Sequence, residues 1–332
     1  MEHLRRIQNI DQIKILSDAR RLAILRLLMS KPATLSQLGQ VLGEHPARVR
    51  HHLKLLEEAG LVELVGTRAV RGFVEKYYQA KARSFIFNEL ILPSTPGQET
   101  VVLLGSHDLA LELLSKLLHQ KKPNGLEILL LPVGSLDGLI ALRQGVAQIA
   151  GSHLLDAESG EYNLPYVRHL FPDLDVTLFT LAYREQGLLV APGNPHQIRD
   201  LQDLARPNMT MINRNRGSGT RLWLDQQLTH LGLEAEEVSG YQHEMRTHTA
   251  IAEAISLGQA DVGLGLQASA RQFGLGFIPL FQERFDLVLP REQIEKKQIT
   301  PIFDYLQSSE FRRLVEGLGG YSTTHTGEQL DP

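Results

Sequence analysis

Cysteine is absent from the 332 residues, which excludes disulfides, thiolate metal sites and cysteine nucleophiles. Also missing is any apolar run near the roughly 20 residues that a membrane-spanning helix needs. The opening "MEHLRRIQNI" holds no apolar segment of the kind a secretory leader carries, so a cytoplasmic location without membrane contact is expected. There is no G-x-x-x-x-G-K-[ST] phosphate loop and no G-x-S-x-G nucleophile elbow. The adjacent Ser106, His107 and Asp108 of "GSHD" do not stand in for them, because a nucleophile and its base must converge from separate elements. Glu244 and His248 have i, i+4 spacing, but two ligands do not make a metal site. No enzyme, cofactor or metal centre is expected.

What is present is typical of a globular protein: 42% hydrophobic and 22% charged residues, with a formal net charge of -4. The length calls for two or three domains. Charge is unevenly spread. Residues 1–85 hold 15 Lys+Arg against 8 Asp+Glu, and the remainder holds 19 against 30. A basic first quarter on an acidic remainder points to a polyanionic partner at one end only.

Within that quarter, "DQIKILSDARRLAILRLLM" has helical apolar spacing and reads as one amphipathic helix. "ATLSQLGQVLG" follows, with Thr34 as N-cap and Gly43 as stop. In "HPARVRHHLKLLEEAG", Pro46 suits a first helical turn. Val49, Leu53 and Leu56 face inward, leaving Arg48, Arg50, His51 and Lys54 outward; His52 reads as packed. Gly60 ends the helix. "LVELVGTRAVRGFVEKYYQA" reads as a hairpin around "GTRAVRG". Helix, helix, basic helix and basic hairpin is the order of a winged helix-turn-helix. Its outward cations meet base edges and phosphates, and Arg68 and Arg71 at the hairpin tip reach flanking phosphate. The candidate DNA-binding residues are Ser36, Arg48, Arg50, His51, Lys54, Arg68 and Arg71. Over about residues 8–80, "LSDARRLAILRLL", "LSQLGQVLG" and "ARVRHHLKLLEEAGLV" resemble the ArsR-type winged-helix family, although the cysteine pair of its metal-sensing members is missing.

A linker is expected at 92–99, separating a DNA-binding domain at 1–91 from a ligand domain at 100–332. Beyond it, strand-like and helix-like stretches alternate, as in an α/β domain with buried strands. Glycine with serine recurs at strand ends: "GSHD" (105–108), "GSLDG" (134–138), "GSH" (151–153) and "GSGTR" (217–221). A helix N-terminus offers unpaired N–H groups and a positive dipole end, so several such corners facing one cleft would trap an anion. Each serine taken singly is equally an ordinary N-cap, and Arg214 and Arg216 are equally exposed or engaged. The candidate ligand contacts are Ser106, His107, Ser135, His153, Asn213, Arg216, Ser218, Thr220, Arg221, Glu244 and His248. Asp108, Asp137 and Glu244 either turn away as caps or meet donors on the ligand.

The segments "GSHDLALELL", "PVGSLDGLIAL", "YREQGLLVAPGNP", "NRNRGSGTR" and "GYQHEMRTHTAIAEAISLGQADVGLGL" resemble the periplasmic-binding-protein-like domain found in some molybdopterin-biosynthesis proteins and attached to helix-turn-helix modules. The resemblance implies a type 2 fold: an α/β domain of two lobes, lobe one at about 100–185 and 276–332 and lobe two at about 187–275, with ligand between them. It also implies molybdate, tungstate or a molybdenum-cofactor-related species as ligand, although fold alone does not fix ligand. The expected protein is a one-component transcription regulator, a homodimer on double-stranded DNA, that senses a small anion. The alternatives are a non-catalytic scaffold of molybdenum-cofactor biosynthesis and an enzyme that handles that cofactor.

Overall fold

The computed structural model describes residues 2, 3, 5–7, 10–70, 73–87, 91, 99–121 and 125–332. The chain divides into two compact units, Met1–Ile91 and Leu92–Pro332. All of the expected linker except Glu99 lies outside the described residues.

The first unit runs β1 (Arg5–Arg6), α1 (Ile10–Leu16), α2 (Ala19–Ser30), α3 (Leu35–Leu42), α4 (Pro46–Glu58), β2 (Val62–Val70), β3 (Phe73–Ala80) and β4 (Phe85–Ile86). The single first helix expected from periodicity is two helices. Asp18 leaves the helical conformation and its side chain accepts from the N–H groups of Arg20 and Arg21, so it caps α2 and ends the continuity with α1. Thr34 and Gln37 form a reciprocal capping box at α3, and Gly43 closes that helix in the left-handed region. Ile24, Leu28, Leu38, Val49, Leu53 and Leu56 fill the core. The hairpin strands run further than expected: Arg68 lies within β2 opposite Glu75, not at the tip.

The second unit runs β5 (Glu99–Gly105), α5 (Leu109–Lys121), β6 (Leu126–Pro132), α6 (Ser135–Arg143), β7 (Ile149–Ser152), α7 (Leu164–Leu170), β8 (Val176–Val190), β9 (Met211–Arg214), α8 (Gly219–Leu231), β10 (Glu244–Met245), α9 (His248–Ser256), β11 (Val262–Leu266), α10 (Gln267–Gln272), β12 (Gly276–Pro290), α11 (Thr300–Leu306), α12 (Ser309–Gly317), β13 (Tyr321–Ser322) and β14 (Gln329–Leu330). The strand order is β10-β9-β11-β8-β12-β7-β5-β6. Strands β8 and β12, 15 residues each, pair antiparallel along their lengths. At one end β12 pairs with β7, and at the other β8 pairs with β11. The chain therefore crosses twice between two lobes. One lobe is built on Leu103, Leu114, Ile149, Phe285 and Phe311, and the other on Leu188, Met211, Leu224 and Val262. The architecture is a two-lobe α/β domain preceded by a winged helix-turn-helix. Among the described residues no helix is long and apolar enough to cross a membrane.

Gly105 shows how tightly the first corner is built. Its φ is +151°, and a Cβ there would lie 2.1 Å from the Gly151 carbonyl oxygen. Strain and overpacking together predict that Gly105→Ala costs about 3 kcal/mol or more. Gly258→Ala, with φ +69° but open space around it, should cost about 1 kcal/mol. Urea unfolding of the two variants checks the contrast.

Candidate functional site

On the winged helix, α4 turns Val49, Leu53 and Leu56 into the core and leaves Arg48, Arg50, His51 and Lys54 exposed. Ser36 is exposed on α3 and Arg68 on β2, while Arg71 lies outside the described residues. Arg48 is 3.4 Å from Glu44, which also meets Arg20, and Lys54 is 3.4 Å from Glu58. These are exposed pairs of low worth that phosphate would displace. His52 is half-buried, its Nδ1 has no partner among the described residues, and burial lowers its pKa.

In the second unit the middle of the two crossing strands is charged. Arg184 of β8 stands opposite Glu283 of β12 and is fully buried. Its Nε donates to Glu283 Oε1 at 2.6 Å, and its Nη1 donates to Asp108 Oδ2 at 2.6 Å. Asp108 also accepts from the Tyr321 hydroxyl and caps α5 through the Leu111 N–H. Glu283 Oε1 accepts from Gln186 Nε2 at 2.6 Å, and Oε2 lies 2.7 Å from His153 Nδ1. Gln186 Nε2 also donates to the Thr220 hydroxyl on α8. His153 Nε2 lies 2.8 Å from Ser106 Oγ, and the His153 N–H donates to Ser135 Oγ.

The network continues into the second lobe. The His248 N–H, at the start of α9, donates to His107 Nδ1 at 3.2 Å. Arg214, at the end of β9, lies 2.7 Å from His248 Nε2 through Nη1 and donates to the Arg246 carbonyl through Nη2. The corners themselves touch. The Leu136 N–H of α6 donates to the Gly217 carbonyl, and a Cβ on Gly219 would lie 2.6 Å from His153 Nδ1. The first turns of α5, α6, α8 and α9 therefore meet at one seam between the lobes.

Two buried arginines, Arg184 and Arg214, stand there with two buried carboxylates, Glu283 and Asp108. Burial would raise the Glu283 carboxyl, but Arg184 and His153 outweigh it and hold it down at about 2. Burial opposes the charge on Arg184, yet Glu283 and Asp108 more than restore it. Arg214 makes no ion pair among the described residues. Burial and then Arg184 push it down to about 9, which leaves it cationic at neutral pH. Burial, Arg214 and Arg184 drive His248 well below its usual value, so it is neutral. An arginine only donates, so His248 Nε2 is the acceptor and its Nδ1 carries the hydrogen. Among the described residues Arg184 Nη2, Arg214 Nε and His248 Nδ1 have no partner, and neither has the acceptor Gln186 Oε1.

Ser106, His107, Ser135, His153, Thr220 and His248 join this network directly. The others do not. Asn213 spends its amide on the Tyr241 carbonyl and the Arg214 N–H. Ser218 Oγ caps α8. Arg221 is buried along its own helix, bonded to Asp225 and to the Arg214 and Tyr241 carbonyls. Arg216, expected in the cleft, is corrected to the surface: its side chain is 78% exposed and lies 3.7 Å from Glu244, itself partly exposed. Arg214 takes the inward position because it still belongs to the buried strand, whereas Arg216 has left it. Sequence reasoning missed Arg184, Gln186 and Glu283. Their signal was a polar interruption in each long apolar strand, "YREQ" and "QERF".

Burial also lowers His153 despite Glu283. His153 and His248 thus bind protons in the unfolded chain below about pH 6.5 but resist them when folded. Stability is complete above that value and is lost as pH falls through it. The expected loss is at most about 1.4 kcal/mol per histidine per pH unit. Urea unfolding at pH 7.5 and 5.5, with His248→Asn as comparison, measures it.

Residues 116–307 match the PBP superfamily domain, and residues 16–65 match a helix-turn-helix domain. The chain is 36% identical over 238 residues to the uncharacterized protein YvgK of Bacillus subtilis, covering 71% of this chain and 75% of that one. It is 34% identical over 106 residues to an uncharacterized protein in the ferredoxin 2Fe-2S gene 5' region of Clostridium pasteurianum, covering 32% and 94%. Solved structures with a similar outline include the tungstate ABC transporter from Geobacter sulfurreducens, with TM-score 0.47, 12% identity and coverage of 66% and 98%. Another is an ABC-type phosphate transport receptor from Vibrio cholerae, with TM-score 0.43, 18% identity and coverage of 67% and 99%. The chain belongs to the PBP (periplasmic-binding-protein) superfamily, its two-lobe domain carried behind an N-terminal helix-turn-helix domain of the ArsR type.

Proposed function

We propose that this chain is a one-component transcription regulator of the cytoplasm whose two-lobe domain senses a small oxyanion. The observation that carries this reading is Arg214, a fully buried cation without a carboxylate partner among the described residues, beside two further donors that have no partner there. A buried unpaired charge costs several kcal/mol. An anion at the seam supplies the missing countercharge, and four helix N-termini from both lobes favour it. Asp108 and Glu283 both spend oxygens on Arg184, whose one charge offsets one of theirs, and an anion would sit beside the unpartnered donors Arg184 Nη2, Arg214 Nε and His248 Nδ1. Molybdate and tungstate are the ligands we put first, on the resemblance noted from the sequence.

The exposed basic face of α4 supports binding to double-stranded DNA, and paired half-sites support a homodimer. Ligand contacts drawn from both lobes favour the closed domain. Regulation follows if DNA and ligand prefer different states, with equal and reciprocal effects on each other's affinity.

Two outcomes test the two halves. Arg48→Ala with Arg50→Ala should weaken DNA binding at least about tenfold and flatten the salt slope by about 2, while the melting response to oxyanion stays intact. DNA binding by the double variant equal to that of wild type would remove the winged helix from the proposal. Arg214→Met should leave the ligand-free domain about as stable as wild type, because it removes a costly buried charge that has no direct ion-pair partner among the described residues. The same variant should abolish the melting shift, about 5 °C or more for wild type at 100-fold excess over Kd. A thermal-shift series with molybdate, tungstate, sulfate and phosphate reads it.

A further inference from the structure

Three side chains at the seam stand in a relationship that anion binding does not require. Ser106 sits at the sharp turn from β5 into α5, His153 directly follows β7, and Glu283 lies on β12. Ser106 Oγ is 2.8 Å from His153 Nε2, and His153 Nδ1 is 2.7 Å from Glu283 Oε2. All three are buried. Glu283 Oε1 is occupied by Arg184 and Gln186, which leaves Oε2 to His153.

The direction of the hydrogen bonds follows from the charges. Glu283 is a carboxylate and can only accept, so the hydrogen of neutral His153 sits on Nδ1 and points at Oε2. Nε2 is then a bare lone pair, and the Ser106 hydroxyl donates to it. A hydroxyl whose hydrogen is committed to an imidazole has none left for an oxyanion. What it presents is an oxygen lone pair with a base in contact, the arrangement of an activated nucleophile. The neighbouring His107 is not the base: its Nε2 goes to Glu112, and its Nδ1 receives the His248 N–H.

We propose that Ser106, His153 and Glu283 act as nucleophile, general base and positioning carboxylate in the cleavage of a small phosphate monoester held in the cleft. This rests on the cleft being an anion site. A phosphate group, anionic at neutral pH, suits Arg214, which is still cationic there, whereas a neutral carboxylic ester would leave that cation unpaired until its transition state. Ser106 also lines, with His107, Asp108, Glu112 and Thr247, a cavity of about 100 Å³ whose other walls are apolar, Leu111, Leu130 and Pro132 among them, so that its hydroxyl borders open space on the side away from His153.

The Ser106 oxygen forms a bond to phosphorus as the bond to the ester oxygen breaks, its electron pair leaving with that oxygen. The Ser106 proton passes to His153 Nε2 and then to the departing oxygen, releasing the alcohol. Water attacks the phosphoserine, giving its proton to Nε2. The phosphorus–Ser106 bond breaks, Ser106 regains the proton, and inorganic phosphate is released. Ester and water become alcohol and phosphate, with no oxidant or reductant.

The test uses the full chain and two probes. Methanesulfonyl fluoride should label Ser106, seen by mass spectrometry of peptides, and His153→Asn should slow labelling about 100-fold or more. Wild type should release p-nitrophenolate from p-nitrophenyl phosphate, and Ser106→Ala, a small change that preserves packing, should not. An unlabelled Ser106, or equal release by Ser106→Ala, overturns the proposal. Melting curves with orthophosphate on the same samples separate the two readings. A retained shift with no Ser106 chemistry leaves the anion site standing and removes the nucleophile, whereas loss of both removes the anion site as well.

Discussion

Arg184 lies fully buried where the two long strands cross, held between Asp108 and Glu283. Taking three charges out of water is expensive, and such a cluster is often no more stable than well-packed apolar side chains of the same volume. Stability is therefore a poor account of why it is there; position is a better one. Arg184 occupies one oxygen of Glu283 and so orients the other toward His153. It bonds Asp108, which caps α5 and fixes the turn carrying Ser106. One guanidinium thus sets the protonation and direction of the groups that line the seam.

The same cluster decides which charges remain available. With Arg184 shared by two carboxylates and both buried histidines neutral, Arg214 is the buried cation of this cluster that has no direct carboxylate partner among the described residues. Three of the four unpartnered polar atoms named at the seam are donors, although the second unit as a whole is acidic. A net charge summed over the chain therefore says little about what the seam can bind. The helix N-termini add further donors there, each with ordinary capping work to do as well. Ser218, a candidate contact in the sequence, caps α8 through an oxygen lone pair.

Much of the winged helix was legible because its determinants are local. Thr34, Gly43 and Pro46 mark helix ends by backbone chemistry readable from a few neighbours. The break at Asp18 was not, since apolar spacing runs through it and only the side chain's turn toward the backbone reveals a cap. In the two-lobe domain, the corners were visible as glycine and serine at strand ends. The crossing residues were not. Arg184 and Glu283 are 99 positions apart, and they meet only through the register of two strands that no local pattern specifies. Arg214 and Arg216 show the limit most simply: two arginines in one stretch, separated by whether the strand has ended.

The crossing also constrains how a ligand can be felt. Strands β8 and β12 are the chain's two passages between the lobes, so a change in the angle between lobes must be absorbed there. Both register shifts of the pair, between Pro279 and Phe281 and between Phe285 and Asp286, flank the Arg184–Glu283 rung. A regular ladder resists bending, and irregular places on either side of one buried ion pair concentrate the bend around it. The groups we propose for recognition and the places where the crossing ladder is irregular are then nearly the same few residues. A guest that adds one negative charge beside Arg214 changes the energy of the closed lobes and not of the separated ones. That difference, and not the tightness of binding, is what can move a conformational equilibrium.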